Sequence, residues 1–365
     1  MNISLKLFIF FILFTYSCSN ETSGHYHLHS ERSKKPEYVK IAYGSLESGH
    51  ETNLPWPFPV DSIAHNIGSY QRYPGVLPYF HHGLDIRQKA GTPVRSTTAS
   101  SVVNIENYIL GKELYWEVAL LDSKGFIWQY HHIDKSSIPK QIYEALESKK
   151  LIPAGTVLGT IVKWPKVSFG ERFDHIHLNI IDKDADYVNP LLFMKSLEDE
   201  SSPVIEGISI VEKNPIKKSP IEEMRDAIRR EESGKTDAEV LVASGEYTIG
   251  VKVYDFINHE KFKVPPYKLS YRIDDGEEIT FWKFDKIPGG SDIKAYPNRF
   301  YVSDKTCGSY YCRKMMMNLE FSLDSADVRF PKDVGTHKIE LNAMDFHRNS
   351  SSRTFSFEIV SDSKK

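Results

Sequence analysis

The stretch His175-Ile-His-Leu-Asn-Ile180 decides the fold, because polar and apolar residues alternate along it without a break. Successive side chains of a β-strand point to opposite faces, so the three apolar side chains share one face and the histidines and asparagine share the other. The apolar face can lie on a core while both imidazoles face a cleft. The pattern predicts a strand at the centre of a mainly β domain with a histidine-lined site.

A second stretch, Tyr79-Phe-His-His-Gly-Leu-Asp85, carries further metal-binding side chains. His81 and Asp85 are an even number of residues apart, so they share a face if the segment is extended. Gly83 lies between them and has no side chain to block a close approach.

The third stretch, Phe126-Ile-Trp-Gln-Tyr-His-His-Ile133, has β-type composition. Adjacent residues of a strand point opposite ways, so only one of His131 and His132 is expected to face the cleft. Together, the three stretches offer several imidazoles and one carboxylate. Three such ligands plus a water form the usual coordination of a catalytic zinc, which lowers the pKa of that water to about 7.

The residues from about Asp61 to Met194 resemble the lysostaphin/LytM-type zinc metallopeptidases, the M23 family. All of the family's short elements occur in order and at similar spacing. They are His81-His-Gly-Leu-Asp85 (H-x-G-x-D), Gly91-Thr-Pro-Val94, Tyr130-His-His-Ile133 (Y-x-H-L), Pro153-Ala-Gly-Thr-Val-Leu-Gly159, His175-Ile-His177 (H-x-H) and Tyr187-Val-Asn-Pro190.

The resemblance implies one zinc ion per catalytic domain, with His81, Asp85 and His177 as its ligands. It also implies that His175 and His132 are the catalytic pair. We expect His175 to act as general base, because it shares a strand face with a ligand, and His132 to stabilise the oxyanion. The reverse assignment stays open.

The resemblance further implies an endopeptidase that hydrolyses peptide stems or crosslinks of bacterial cell-wall peptidoglycan. His82 and His131 are expected to face away from the site, as isolated strand histidines usually do. One alternative is a non-catalytic relative that activates other cell-wall hydrolases, although every ligand position is filled here. Another is an envelope-binding or adhesion module carried by the C-terminal half.

The length of 365 residues predicts two domains. We place an antiparallel peptidase domain at 37–200 and a β-sandwich at 201–365, because alternating apolar residues recur there, as in Tyr247-Thr-Ile-Gly-Val-Lys-Val253. The closing stretch at 335–349 resembles the last hairpin of bacterial immunoglobulin-like modules, and a charged insert lies near 212–237. The formal net charge of −3 argues against nucleic-acid binding.

Residues 1–18 read as a leader, since an apolar run over Leu7 to Tyr16 is too short for an ordinary membrane span. Cys18 after this run resembles a lipoprotein cleavage site. Contact with the membrane is then expected only through a lipid on Cys18, with 19–36 as a tether, in the periplasm or at the outer membrane. An ordinary signal peptide cut nearby is the alternative. Cys307 and Cys312 could close a small disulfide loop.

Overall fold

The computed structural model describes residues 36–60, 63–71, 79–108, 113–165, 173–212, 241–243, 247–257, 262–289, 320–322 and 330–360. The predictions for the leader, for Cys18, for nearly all of the tether and the charged insert, and for the two later cysteines lie outside these ranges. Within them, no helix has the length and apolar character that crossing a membrane requires.

The described chain is mainly antiparallel β-structure, which confirms the predicted fold class. The strands up to residue 188 are β1 (Tyr70–Gln71), β2 (Tyr79–Phe80), β3 (Leu84–Arg87), β4 (Pro93–Arg95), β5 (Ser100–Asn107), β6 (Trp116–Asp122), β7 (Ile127–His131), β8 (Leu151–Ile152), β9 (Val157–Thr160), β10 (His175–Ile181) and β11 (Tyr187–Val188). Those from residue 204 onward are β12 (Val204–Glu212), β13 (Leu241–Ala243), β14 (Tyr247–Tyr254), β15 (Lys268–Ile273), β16 (Ile279–Lys283), β17 (Lys286–Ile287), β18 (Glu320–Ser322), β19 (Gly335–Met344) and β20 (Ser350–Ile359). One α-helix, α1 (Lys140–Ser148), and 3₁₀ turns at Glu37–Ile41, Glu113–Tyr115, Lys135–Ser137 and Pro190–Leu192 complete the described elements.

The central sheet has the strand order β17-β11-β10-β7-β6-β5-β8, and β3 also pairs with β10. β10 therefore lies between β3 on one edge and β7 on the other. Its apolar residues Ile176, Leu178 and Ile180 are fully buried in the main core, as the alternation predicted. Because the apolar face of β10 packs on the core, the histidines of this strand lie on the opposite face of the sheet.

A tight turn at residues 122–125 joins β6 and β7 into a hairpin. Asp122 accepts hydrogen bonds from the backbone N–H of Lys124 and Phe126 at 2.9 Å and from Trp128 Nε1 at 2.8 Å. The helix α1 begins after Pro139 and ends before the left-handed Lys149. The hairpin turn holds the start of β7 against β6.

In the second half, a three-stranded sheet, β12-β14-β18, faces a five-stranded sheet, β13-β20-β19-β15-β16. Side chains from both sheets share one apolar core, among them Val251 of the first and Leu341 of the second. This arrangement agrees with the predicted sandwich, although β13 pairs with β20 in parallel. β17 pairs with β11, so the second half also extends the central sheet. The immunoglobulin-like resemblance and the domain boundary stay predictions.

Candidate metal centre

Three side chains of the first half converge on one point. His81 Nε2 lies 3.0 Å from Asp85 Oδ1 and 2.8 Å from His177 Nδ1, and His177 Nδ1 lies 2.9 Å from Asp85 Oδ1. The residues are 0%, 1% and 7% exposed, in the order His81, Asp85, His177. The structure thus brings together the three residues that the sequence predicted as zinc ligands.

Strand register positions this cluster. Asp85 in β3 is the direct cross-strand partner of His177 in β10, so their side chains lie side by side on one face. His81 precedes β3, and its Nδ1 lies 3.0 Å from the carbonyl oxygen of Asn66. A carbonyl oxygen only accepts hydrogen bonds, so His81 Nδ1 is the donor. This hydrogen bond fixes the orientation of the His81 ring, whose other nitrogen, Nε2, faces the cluster.

The donor set fits a divalent metal ion. When the His81 ring carries one proton, that proton lies on Nδ1, and the lone pair at Nε2 then faces the carboxylate oxygen of Asp85. Two lone pairs at this distance repel each other unless a cation, either a second proton or a metal ion, lies between them. Two imidazole nitrogens and one carboxylate oxygen are the ligand types of zinc.

The electrostatics of the cluster also suit a metal. Burial disfavours a charged Asp85, but the neighbouring His81 and His175, together with a hydrogen bond from His177, hold its pKa well below the ordinary value. Burial, followed by the neighbouring His81, lowers the pKa of His177 to about 3. A carboxylate and a neutral imidazole are the protonation states that metal binding requires.

Gly83 makes the close approach possible, as predicted. A Cβ at this position would lie 2.3 Å from Asn179 Oδ1, 2.5 Å from the Leu178 carbonyl oxygen and 2.9 Å from His177 Nε2. The segment that carries His81 can therefore lie against β10 only if this residue has no side chain.

His175 lies beside the cluster. Its Nε2 is 3.8 Å from Asp85 Oδ1, and its Nδ1 is 2.7 Å from the Phe173 carbonyl oxygen, which it can reach only as a donor. Burial lowers the pKa of His175, while Asp85 opposes that shift. Neutral His175 therefore presents the lone pair of Nε2 at the edge of the cluster.

His132 lies next to His175, with their ring centroids 4.7 Å apart. Its Nδ1 is 2.7 Å from the carbonyl oxygen of Leu114, so Nε2 is again the acceptor of the neutral ring. Burial, followed by His175, places the pKa of His132 well below its ordinary value. The two histidines predicted as a catalytic pair are thus neighbours at the cluster.

The expectation that His131 and His82 face away is wrong. His131 is the cross-strand partner of His177 in β7, and their ring centroids are 5.3 Å apart. His132 follows the strand with a φ of 64°, so the alternation ends and both neighbours can turn toward the site. His82 Nδ1 lies 3.2 Å from His177 Nε2, which makes it a hydrogen-bond partner that orients this ring.

Behind the cluster runs a buried polar chain that the sequence analysis did not identify. His82 Nδ1 lies 3.1 Å from Asn179 Oδ1, and Asn179 Nδ2 donates to Gln129 Oε1 at 3.0 Å. Gln129 in turn contacts the hydroxyl of Tyr38, which donates to Glu117. Polar residues on the histidine-bearing face of β7 and β10 were the available signal, but their partners lie far apart in the sequence.

Aromatic rings form one wall of the site. Trp164 stacks on His175 with ring centroids 4.9 Å apart, and Phe173 lies 4.4 Å from the same ring.

Comparisons with known proteins give structural similarity without a family assignment. No family model matches the chain, and no curated protein matches it. The catalytic domain of the antimicrobial peptidase lysostaphin from Staphylococcus simulans is 18% identical, with 40% of this chain and 91% of that chain covered and a TM-score of 0.24.

Two further solved structures are similar to this chain. A mutant catalytic domain of the prophage-encoded M23 protein EnpA from Enterococcus faecalis is 18% identical, with 38% of this chain and 95% of that chain covered and a TM-score of 0.26. A longer lysostaphin structure is 14% identical, covering 63% of this chain and 90% of that chain with a TM-score of 0.29. At these identities and TM-scores, the similarity establishes no activity for this chain.

Proposed function

We propose that this protein is a zinc-dependent endopeptidase that hydrolyses peptide bonds of bacterial cell-wall peptidoglycan. The observation that carries the proposal is the buried cluster of His81, Asp85 and His177, with His175 and His132 directly beside it. When bound by these three ligands, zinc would supply Lewis-acid activation of a water and of a peptide carbonyl.

His175 is the proposed general base. Its Nε2 is the acceptor atom of the neutral ring and lies near Asp85, whose negative charge stabilises the imidazolium that forms when a proton is taken up. Donation from Nδ1 to the Phe173 carbonyl holds the ring in this orientation.

His132 is the proposed partner that meets the developing oxyanion once it carries a second proton. Its bond to the Leu114 carbonyl and its contact with His175 hold it in place. Neutral His132 also presents Nε2 as an acceptor, which is the geometry that the exchanged assignment of the two histidines would use.

The proposed place of action is outside the cytoplasm, at the cell envelope. The apolar leader and Cys18 support this placement, with anchoring by a lipid on Cys18. A cell-wall substrate requires such a location.

The test measures zinc content by elemental mass spectrometry and digestion of purified peptidoglycan by mass spectrometry of the released fragments. We expect the wild type to bind zinc and to release fragments, and a chelator to stop the release. His81→Ala should lose both zinc and activity, whereas His175→Ala and His132→Ala should keep zinc at this site and lose activity.

His50→Ala is a matched control, because His50 contacts Phe193 outside the cluster and should leave both readouts unchanged. Full turnover by His175→Ala would overturn its assignment as the base. Zinc-free protein that leaves peptidoglycan intact but stimulates another wall hydrolase would replace the proposal with the regulatory alternative.

A further inference from the structure

A second group of metal-binding side chains lies where the two halves of the chain meet. Donor atoms of Asp199, Asp345 and His347 all lie within 4.8 Å of one another. They line a cavity of about 20 Å³, together with Asp255. A cavity of this size holds a single water-sized particle.

The four residues come from three separate segments. Asp199 belongs to the segment that leads out of the first half. Asp255 directly follows β14, while Asp345 and His347 lie in the turn that joins β19 to β20. An ion held by all of them would connect this exit segment to both sheets of the sandwich.

Two buried carboxylate oxygens in this group lack the hydrogen bonds that such atoms require. No described residue donates a hydrogen bond to Asp255 Oδ1 or to Asp199 Oδ2. Asp255 is 3% exposed and the Asp199 side chain 1% exposed, and the contact of Asp199 Oδ2 with His347 Nδ1 is 3.5 Å long. Leaving a buried carboxylate oxygen without a donor or cation is costly, so these atoms point to a missing positive charge.

The charge of the cavity agrees with this conclusion. Among the described residues that line it, three are aspartates and His347 is the only one able to carry a positive charge. A bound cation would balance the carboxylates that line this cavity.

Neighbouring groups already orient the ligands. The Asn349 backbone N–H donates to Asp345 Oδ1 at 2.8 Å, and Asn349 Nδ2 donates to Asp345 Oδ2 at 2.7 Å and to the Asp199 carbonyl oxygen at 2.8 Å. Supporting hydrogen bonds of this kind are typical of metal sites.

We infer that Asp199, Asp345 and His347, with Asp255 beside them, bind a second divalent metal ion of the zinc type that joins the two halves. A mixed carboxylate and imidazole donor set favours such a transition metal over calcium, which takes six to eight oxygen ligands. The site is separate from the proposed active site, and its role is structural.

The test counts zinc ions per chain in full-length protein. We expect two ions in the wild type, one in His81→Ala, one in His347→Gln and none in the double variant. His337→Gln is the matched control, because the similarly half-buried His337 also pairs with an aspartate, Asp274, but lies outside the lining of the cavity, and it should keep both ions.

Thermal unfolding provides a second readout that does not depend on activity. In His81→Ala, a chelator should lower Tm by about 5 °C, and the loss should vanish when His347→Gln or Asp255→Asn is added. An unchanged zinc count in both His347→Gln and Asp255→Asn, or a site filled by calcium and not by zinc, would overturn the inference. Failure of the proposed active site would appear separately, as a zinc count that His81→Ala does not change.

Discussion

Replacing Gly83 with alanine tests the reasoning about the first metal centre most directly. The added Cβ would meet three atoms of β10 at 2.3, 2.5 and 2.9 Å, whereas ordinary contact begins at 3.4 Å. One of these atoms is the backbone carbonyl oxygen of Leu178, which cannot move without disturbing the register that places His177 beside Asp85. Gly83 does not have a positive φ, so alanine meets no backbone strain and the effect is steric.

The expected loss of folding free energy follows from a steric overlap of about 1 Å between the added Cβ and atoms of β10. Overpacking of a tight interior typically costs about 1–3 kcal/mol. Displacement of a ligand or its supporting groups lowers metal affinity about 10–100-fold. We therefore expect Gly83→Ala to fold with a reduced Tm, to bind zinc 10–100-fold more weakly and to lose a corresponding share of activity at limiting zinc.

Calorimetry and zinc titration against a competing chelator measure both effects. Gly207→Ala is the control, since a Cβ at position 207 would meet nothing within 4 Å. If Gly83→Ala matched the wild type in both Tm and zinc affinity, the close approach would not exist and the geometry of the cluster would be wrong.

Three further perturbations test the fold around the sites. Asp122→Ala removes the acceptor of three hydrogen bonds in the β6–β7 hairpin and should cost about 3 kcal/mol in denaturant unfolding; a cost near zero would contradict the assigned bonds. Tyr130→Phe leaves the buried Thr97 N–H without its acceptor at 3.0 Å and should cost about 1–3 kcal/mol, whereas unchanged stability would show that water replaces the hydroxyl. Asp274 raises the pKa of His337 above 6.5, so this pair stabilises the fold below that pH and less as pH rises through the folded pKa. His337→Gln should therefore lose more stability at acidic than at alkaline pH, and equal losses at both would rule out the ion pair.

Much of the first metal centre was predictable from local sequence. The alternation around His175 and His177 determines which side chains enter the core, because a strand has a period of two that any reader of the sequence can count. The glycine at position 83 was likewise readable as a point of close approach, and the structure confirms it.

The surroundings of these residues were not predictable in the same way. His131 faces the site because it lies opposite His177 across β7 and β10. His132 turns to the same side through a positive φ, a conformation that non-glycine residues rarely adopt and that no local pattern signals. The support of His81 comes from the backbone carbonyl of Asn66, and a carbonyl has no sequence signature.

The sequence alone therefore determined the β-strand that carries His175 and His177, the residue types of the first metal cluster and the mainly β character of the chain. Only the tertiary structure decided that Asp85 lies opposite His177, that His82 orients the His177 ring, and that Asp199, Asp255 and Asp345 meet. The physical reason is the distance along the chain over which each feature is set. The periodicity of a strand depends only on residues that are close in sequence. Strand register and contacts between buried charges depend on segments that come together only on folding.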